Sequence, residues 1–362
     1  MLDDDLDSEP ASRDATRSGS PGKRDLIRSI VHRLAGERFT LPIEGRLPSF
    51  NGATGWLNSE PLTPEALRGR VVLVNFWTYT CVNWIRTLPY VRAWAAKYAD
   101  AGLTVIGVHT PEFGFERNIN NVIAAARGFD VGYPIALDND YAVWSAFANH
   151  FWPATYIADV GGRVRYHHFG EGEYAAIEMV IQQLLLDAGA DDVEQDLVMV
   201  DAYGLEVAAD WRTLRSPETY LGYRQSAGFA HGQIARFDEP AVYAAPSQLP
   251  VNSWGLSGNW TSAQHAALAN DPGGRVAFQV HARDLHLVMG PFAREAPIPF
   301  QVFLDGRLAD GAYGVDVNPN GRGIVSAQRT YQLIRQPGHV APRRFEIEFG
   351  DASVEVYCFT FG

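Results

Sequence analysis

RVVLVNFWTYTCVNWIRTLPYV, residues 70–91, changes its period in the middle. Residues 70–77 form an almost unbroken apolar run rich in valine, the pattern of a central strand buried on both faces. Beyond residue 81 the apolar groups fall at helical spacing instead, at Trp84, Leu88, Val91 and Trp94, and Gly102 ends the segment. Cys81 stands where strand gives way to helix. The N–H groups at a helix N-terminus carry partial positive charge and stabilise a thiolate. The position therefore predicts a thiol that ionises more readily than an ordinary one. A buried, inert cysteine is the competing reading. The small polar neighbours Thr78 and Thr80 and the turn position argue against it.

Working outward, residues 103–110 (LTVIGVHT) read as a second buried strand and 118–129 as a helix. YPIALD is a short strand and NDYAVWSAF a short helix. ATYIAD (154–159) and RVRYHHF (163–169) form a hairpin across a Gly-Gly turn, and residues 172–189 form a closing helix. Parallel strands joined by helices and finished by an antiparallel hairpin and a helix describe an α/β sandwich. Residues 41–189 make up this domain. Residues 1–24 are expected to be a disordered tail, being charged and rich in Ser and Pro. Residues 25–40 read as a short helix and linker. Their apolar stripe is suited to packing on the domain, or to binding a partner. Residues 190–215 are acidic and irregular and read as a linker.

From 216 to 362 the character changes again. Runs such as GRVAFQVHA, IPFQVFLDG, RRFEIEFG and SVEVYCFTFG are separated by turn residues and lack helical periodicity. They predict an all-β sandwich, jelly-roll-like, in which Trp254, Trp260 and Tyr223 are either core aromatics or platforms for sugar rings.

The chain has 362 residues, room for two domains, and a net charge of −12 with no basic block. That disfavours nucleic acid and anionic membranes as partners. Its two cysteines, Cys81 and Cys358, exclude a disulfide-stapled scaffold and a thiolate zinc site. No apolar h-region opens the chain and no run of about 18 apolar residues occurs, so a cytoplasmic location and no membrane span are expected.

Five motifs occur in order: FWTYTCVNWIRTLPYV (76–91), VIGVHTPEF (105–113), YPIALDNDYAVWSAF (133–147), FWPATYIAD (151–159) and HHFGEGEY (167–174). Together they resemble the thioredoxin-like domain of DipZ-type proteins, within the TlpA-like thiol–disulfide oxidoreductases. PETYLGY (217–223), GNW (258–260) and the ending EVYCFTFG resemble that family's second domain, a sandwich similar to carbohydrate-binding modules. The resemblance implies a redoxin activity in which Cys81 attacks a target disulfide. It implies that Pro153, after Trp152, is a cis-proline beside that cysteine and helps present substrate. The family's fused membrane domain has no counterpart in the sequence.

One departure stands out. The family motif Cys-x-x-Cys is here Cys81-Val82-Asn83-Trp84, so the resolving thiol is an indole, which cannot exchange. Cys358 lies in an apolar strand of the other domain and reads as core. A monothiol oxidoreductase resolved by an external thiol is therefore the leading expectation. Its substrate would be a protein disulfide, a small thiol or a peroxide. A one-cysteine peroxidase is the second reading, since Thr78 stands three before Cys81 as in peroxiredoxins, although Val74 replaces their proline. A silent domain kept for protein or glycan binding is the third. Asn83 and Trp84 are expected at the entrance, with Trp152 and Pro153 beside it. Arg86 is expected to steady the thiolate or engage a substrate carboxylate. His109, Glu112 and Glu116 are candidates for a base near Cys81, or for structural hydrogen bonds. His167 and His168 face opposite sides of a strand, so no metal site or cofactor is expected.

Overall fold

The structure, a computed structural model, describes residues 40–230, 236–292, 297–309 and 311–362. The expected tail at 1–24 and the expected helix that follows it lie outside the described residues. The chain divides into two compact units, Met1–Asp201 and Ala202–Gly362.

The first unit is built on a seven-stranded sheet of order β1-β7-β6-β3-β4-β5-β2. The strands are β1 (Gly45–Arg46), β2 (Gly55–Leu57), β3 (Val71–Trp77), β4 (Leu103–His109), β5 (Ile135–Leu137), β6 (Ala154–Ala158) and β7 (Arg163–Phe169). The valine-rich run becomes β3, and all seven of its residues are buried. It pairs with β4 in parallel on one side and with β6 antiparallel on the other, so both edges are satisfied inside the protein. The helices are α1 (Val82–Lys97), α2 (Ile119–Gly128), α3 (Ala142–Ala146) and α4 (Tyr174–Asp187). With the hairpin β6–β7 they complete the α/β arrangement that the order of sequence periods predicts, of the thioredoxin-like kind that the resemblance implies.

Gly107 in β4 shows why one position tolerates no side chain. A Cβ there would lie 2.8 Å from Trp77 Nε1 and 3.1 Å from the Tyr133 ring. The missing side chain makes room for the Trp77 indole, which stacks on Trp84.

The second unit is all-β, and each of its named ladders is antiparallel. Its strands include β8 (Thr219–Tyr220), β13 (Asp284–Pro291), β14 (Ile298–Leu304), β15 (Arg307–Leu308), β16 (Arg322–Val325) and β17 (Arg329–Arg335), together with β9 (Pro240–Tyr243), β10 (Trp254–Ser262), β11 (Ala267–Ala269), β12 (Arg275–Val280), β18 (Arg343–Phe349) and β19 (Val354–Phe361). The strand path is β15-β14-β18-β12-β10-β11-β19-β13-β17, with β16 on β14, β8 on β19 and β9 on β10. The nine-residue β10 (Trp254–Ser262) serves both halves of the path. Its first part pairs with β12 (Arg275–Val280) and its second with β9 (Pro240–Tyr243) and β11 (Ala267–Ala269). The change occurs at Gly258, whose φ of 97° suits glycine alone. The two faces close on an aromatic core. Phe278 of β12 lies 5.0 Å from Phe359 of β19 (Val354–Phe361), and Phe345 of β18 (Arg343–Phe349) lies 5.9 Å from it.

The irregular stretch expected as a linker is tied down at both ends. Val198 N donates to the buried Glu178 of α4, and Gln182 donates to the carbonyls of 194–196. Further on, Arg335 and Gln332 donate to Gly204 O, and Arg283 donates to Ala208 O. Among the described residues no helix is long and apolar enough to cross a membrane.

Candidate active site around Cys81

Cys81 occupies the N-cap of α1, with extended φ/ψ of −71° and 108°, and its side chain makes no capping hydrogen bond. This is where Ser or Asp would accept from the first-turn N–H groups, which have no partner within the helix. A thiolate placed there meets the same donors. The sulfur is partly exposed and lies 3.8 Å from Trp152 O, to which the thiol donates.

The Trp152–Pro153 peptide is cis, as the resemblance implied. The loop is held by Gly170 N, which donates to Pro153 O at 2.8 Å. Trp152 packs on Trp144 of α3 at 4.3 Å between ring centroids. Two exposed rings flank this loop, Phe151 and Phe169, 4.8 Å apart. Neither ring stands out in the sequence, although Phe151 adjoins Trp152.

Trp84 is not at an entrance. It is fully buried, stacked on Trp77 at 4.2 Å, with its edge against Phe129. Its Nε1 donates to Asn75 Oδ1 at 2.9 Å, and Asn75 in turn donates to Thr155 Oγ1. The place of a second thiol is thus filled by an aromatic stack anchored to a buried amide. Asn75, a polar residue inside the apolar run, was the legible sign of that anchor.

Arg86 is likewise withdrawn from substrate. It is 2% exposed and pairs with Glu171 at 3.0 Å, itself nearly buried. Burial pushes the Glu171 carboxyl up, and the Arg86 charge and hydrogen bond oppose this. The pair ties α1 to the turn that carries Gly170, and so to the Pro153 loop.

His109 closes β4, stacks edge-on against Trp77, and lies parallel to Tyr79. It is fully buried, and among the described residues neither ring nitrogen has a hydrogen-bond partner. Burial pushes its pKa down to about 3, so the imidazole is neutral and too weak a base for the role considered for it. Glu112 offers its backbone N–H to Glu116 Oε2. Glu116 is fully buried, and its Oε1 accepts from Thr80 Oγ1 at 2.6 Å. Burial pushes its carboxyl up, against four sets of hydrogen bonds. His167 pairs with Glu44 at 2.7 Å, while His168 faces the Glu171 carbonyl. In the sandwich, Trp254 and Trp260 are buried core residues and present no face to a sugar. Tyr223 is partly exposed and donates to Asp238. Cys358 is buried in β19, and neither cysteine forms a disulfide.

Residues 44–179 match the redoxin family, and residues 216–362 match the family described as a thioredoxin-like C-terminal domain. Protein DipZ of Mycobacterium tuberculosis and of Mycobacterium bovis is 38% identical over 252 residues. The match covers 68% of this chain and 35% of DipZ, so the chain spans about a third of the length of these relatives. The thiol-disulfide oxidoreductase YkuV of Bacillus subtilis is 28% identical over 39% of this chain and 95% of its own. A thioredoxin-like protein solved in its oxidised form shares 30% identity over 40% of this chain and 96% of that one, with a TM-score of 0.37. The chain accordingly joins a redoxin-family domain of thioredoxin-like fold to a domain of the thioredoxin-like C-terminal family.

Proposed function

We propose that the protein is a monothiol thiol–disulfide oxidoreductase in which Cys81 carries the chemistry and an external thiol completes the cycle. The observation that carries this reading is the pairing of a partly exposed Cys81 at a helix N-cap with a fully buried Trp84 three residues on. The first favours a nucleophilic thiolate. The second removes the usual internal route for resolution.

The Cys81 thiolate attacks one sulfur of a substrate disulfide. A Cys81–substrate disulfide forms, and the second substrate sulfur leaves as a thiolate and takes a proton. An external thiolate then attacks the Cys81 sulfur, and the reduced substrate departs. A second external thiol frees Cys81 and leaves as the external disulfide. Two external thiols are oxidised for each substrate disulfide reduced. Trp152 and Pro153 form the wall along which the substrate chain approaches the sulfur, and Phe151 and Phe169 offer it apolar contact. Trp84 and Arg86 act from inside, as packing and as a tether.

The test is reduction of a disulfide-bonded peptide, followed with and without glutathione, by the full chain and by Cys81→Ser. Turnover that needs both Cys81 and glutathione supports the reading. Equal rates for both proteins, or no turnover with glutathione present, overturn it in favour of a silent domain. Consumption of peroxide in place of the peptide would favour the one-cysteine peroxidase.

A further inference from the structure

The turn that presents Cys81 is held by a group the thiol chemistry does not use. Glu116 lies in the 3-10 turn Gly114–Arg117 and is fully buried. One carboxylate oxygen, Oε1, accepts from Thr80 Oγ1 at 2.6 Å and Thr80 N at 3.4 Å. The other, Oε2, accepts from Glu112 N at 2.6 Å and Phe113 N at 2.8 Å. Thr80 is the residue immediately before Cys81. A single buried carboxylate therefore joins the reactive turn to the loop after β4. Among the described residues no cation pairs with it. Its other titratable neighbours are Tyr79 on the turn and Tyr141 ahead of α3, with Glu112 and Arg117 on its own loop. His109, stacked on Tyr79, is neutral.

A carboxylate in this place has two consequences. It fixes the φ/ψ of the turn through four hydrogen bonds, and so fixes where the sulfur sits relative to the first-turn N–H groups of α1. When ionised, it also opposes a second negative charge one residue away. We propose that Glu116 is the positioning residue of the Cys81 turn and that its charge restrains ionisation of the thiol. The two groups then titrate as a coupled pair, protonation of one easing ionisation of the other. The inference rests on the reading that Cys81 reacts as a thiolate.

The test is the pH dependence of iodoacetamide alkylation of Cys81 in the full chain, in Glu116→Gln and in Thr80→Val. Glutamine keeps the shape. Its oxygen serves the Glu112 and Phe113 N–H groups, and its amide donates to the Thr80 hydroxyl, which rotates to accept, with only the long 3.4 Å bond from Thr80 N given up. Valine keeps the branched side chain and the Glu116 charge but removes the hydroxyl bond. If the charge acts on the thiol, E116Q lowers the midpoint by about one pH unit, about tenfold more thiolate at a fixed pH below it. T80V then shows no such downward shift. Coincident curves for E116Q and the parent overturn the proposal, and so does an equal shift in both variants, since that is a matter of turn geometry alone. If E116Q does not fold, as judged by circular dichroism, the parent's own profile decides. A curve broader than one titration supports coupling, and a single-group curve overturns it. Failure of the underlying reading looks different: Cys81 would then resist alkylation in parent and variants alike.

Discussion

Replacing Trp84 by cysteine rebuilds a Cys-x-x-Cys site and measures what the indole does in its place. Trp84 is fully buried, stacked on Trp77 at 4.2 Å, and gives Asn75 its hydrogen bond of 2.9 Å. Removing a buried indole down to a Cβ costs about 3–5 kcal/mol, and a thiol recovers only a small part of that volume. Asn75 Oδ1 also loses its donor deep in the sheet, about 1–3 kcal/mol more. The reduced variant should therefore be roughly 4–6 kcal/mol less stable, a large fraction of the ~5–15 kcal/mol typical of a domain. Closing the short 81–84 loop restricts the unfolded chain and returns only about 2 kcal/mol. The assay is urea unfolding of parent and W84C, each with and without reductant. The expected order is parent, then oxidised W84C, then reduced W84C. A reduced variant within about 1 kcal/mol of the parent refutes the argument, because the stack would then hold nothing together. Failure to form the disulfide while remaining folded refutes the claim that Trp84 occupies the resolving position.

Three further outcomes follow. Arg86→Ala strands the Glu171 charge in a site with almost no solvent, and about 3–5 kcal/mol of stability should be lost in urea unfolding, while Arg86→Met with Glu171→Gln restores most of it. His109 stays neutral in the folded chain down to a pKa of about 3, whereas the unfolded chain takes up a proton near the ordinary value of 6.5. The unfolded state thus binds more protons between those values, so stability falls on acidification, by up to about 1.4 kcal/mol per pH unit. His109→Phe should remove that slope, seen as a parent-minus-variant difference between about pH 7 and pH 5. Cys358→Ala should leave peptide reduction by Cys81 unchanged, because Cys358 is 1% exposed within β19.

The fold was legible because its periods are clean. The apolar run at 71–77 is β3, and the spacing of Trp84, Leu88 and Val91 marks one face of α1. That same spacing places Trp84 on the core face, against the entrance role expected of it from the motif. Asn75 and Trp84 sit nine residues apart, a pair visible in principle as one polar residue in an apolar strand facing one oversized residue in a helix. The burial of Arg86 was hidden, because its partner lies 85 residues away and a surface ion pair reads the same in sequence. Glu116 was noted only as a candidate near Cys81. Its four donors come from 80, 112 and 113, and no local pattern gathers them. Trp254 and Trp260 occupy inward positions of β10, so even spacing along a strand decided between core and sugar platform.

In the proposed function Cys81 starts an exchange it cannot finish alone. Intact-mass measurement of the reduced chain, mixed with a disulfide-bonded peptide and no other thiol, tests this most directly. A one-to-one Cys81–peptide adduct is expected, which persists until glutathione is added and then disappears. Full release of reduced peptide without added thiol would contradict it, and so would the absence of any adduct at Cys81.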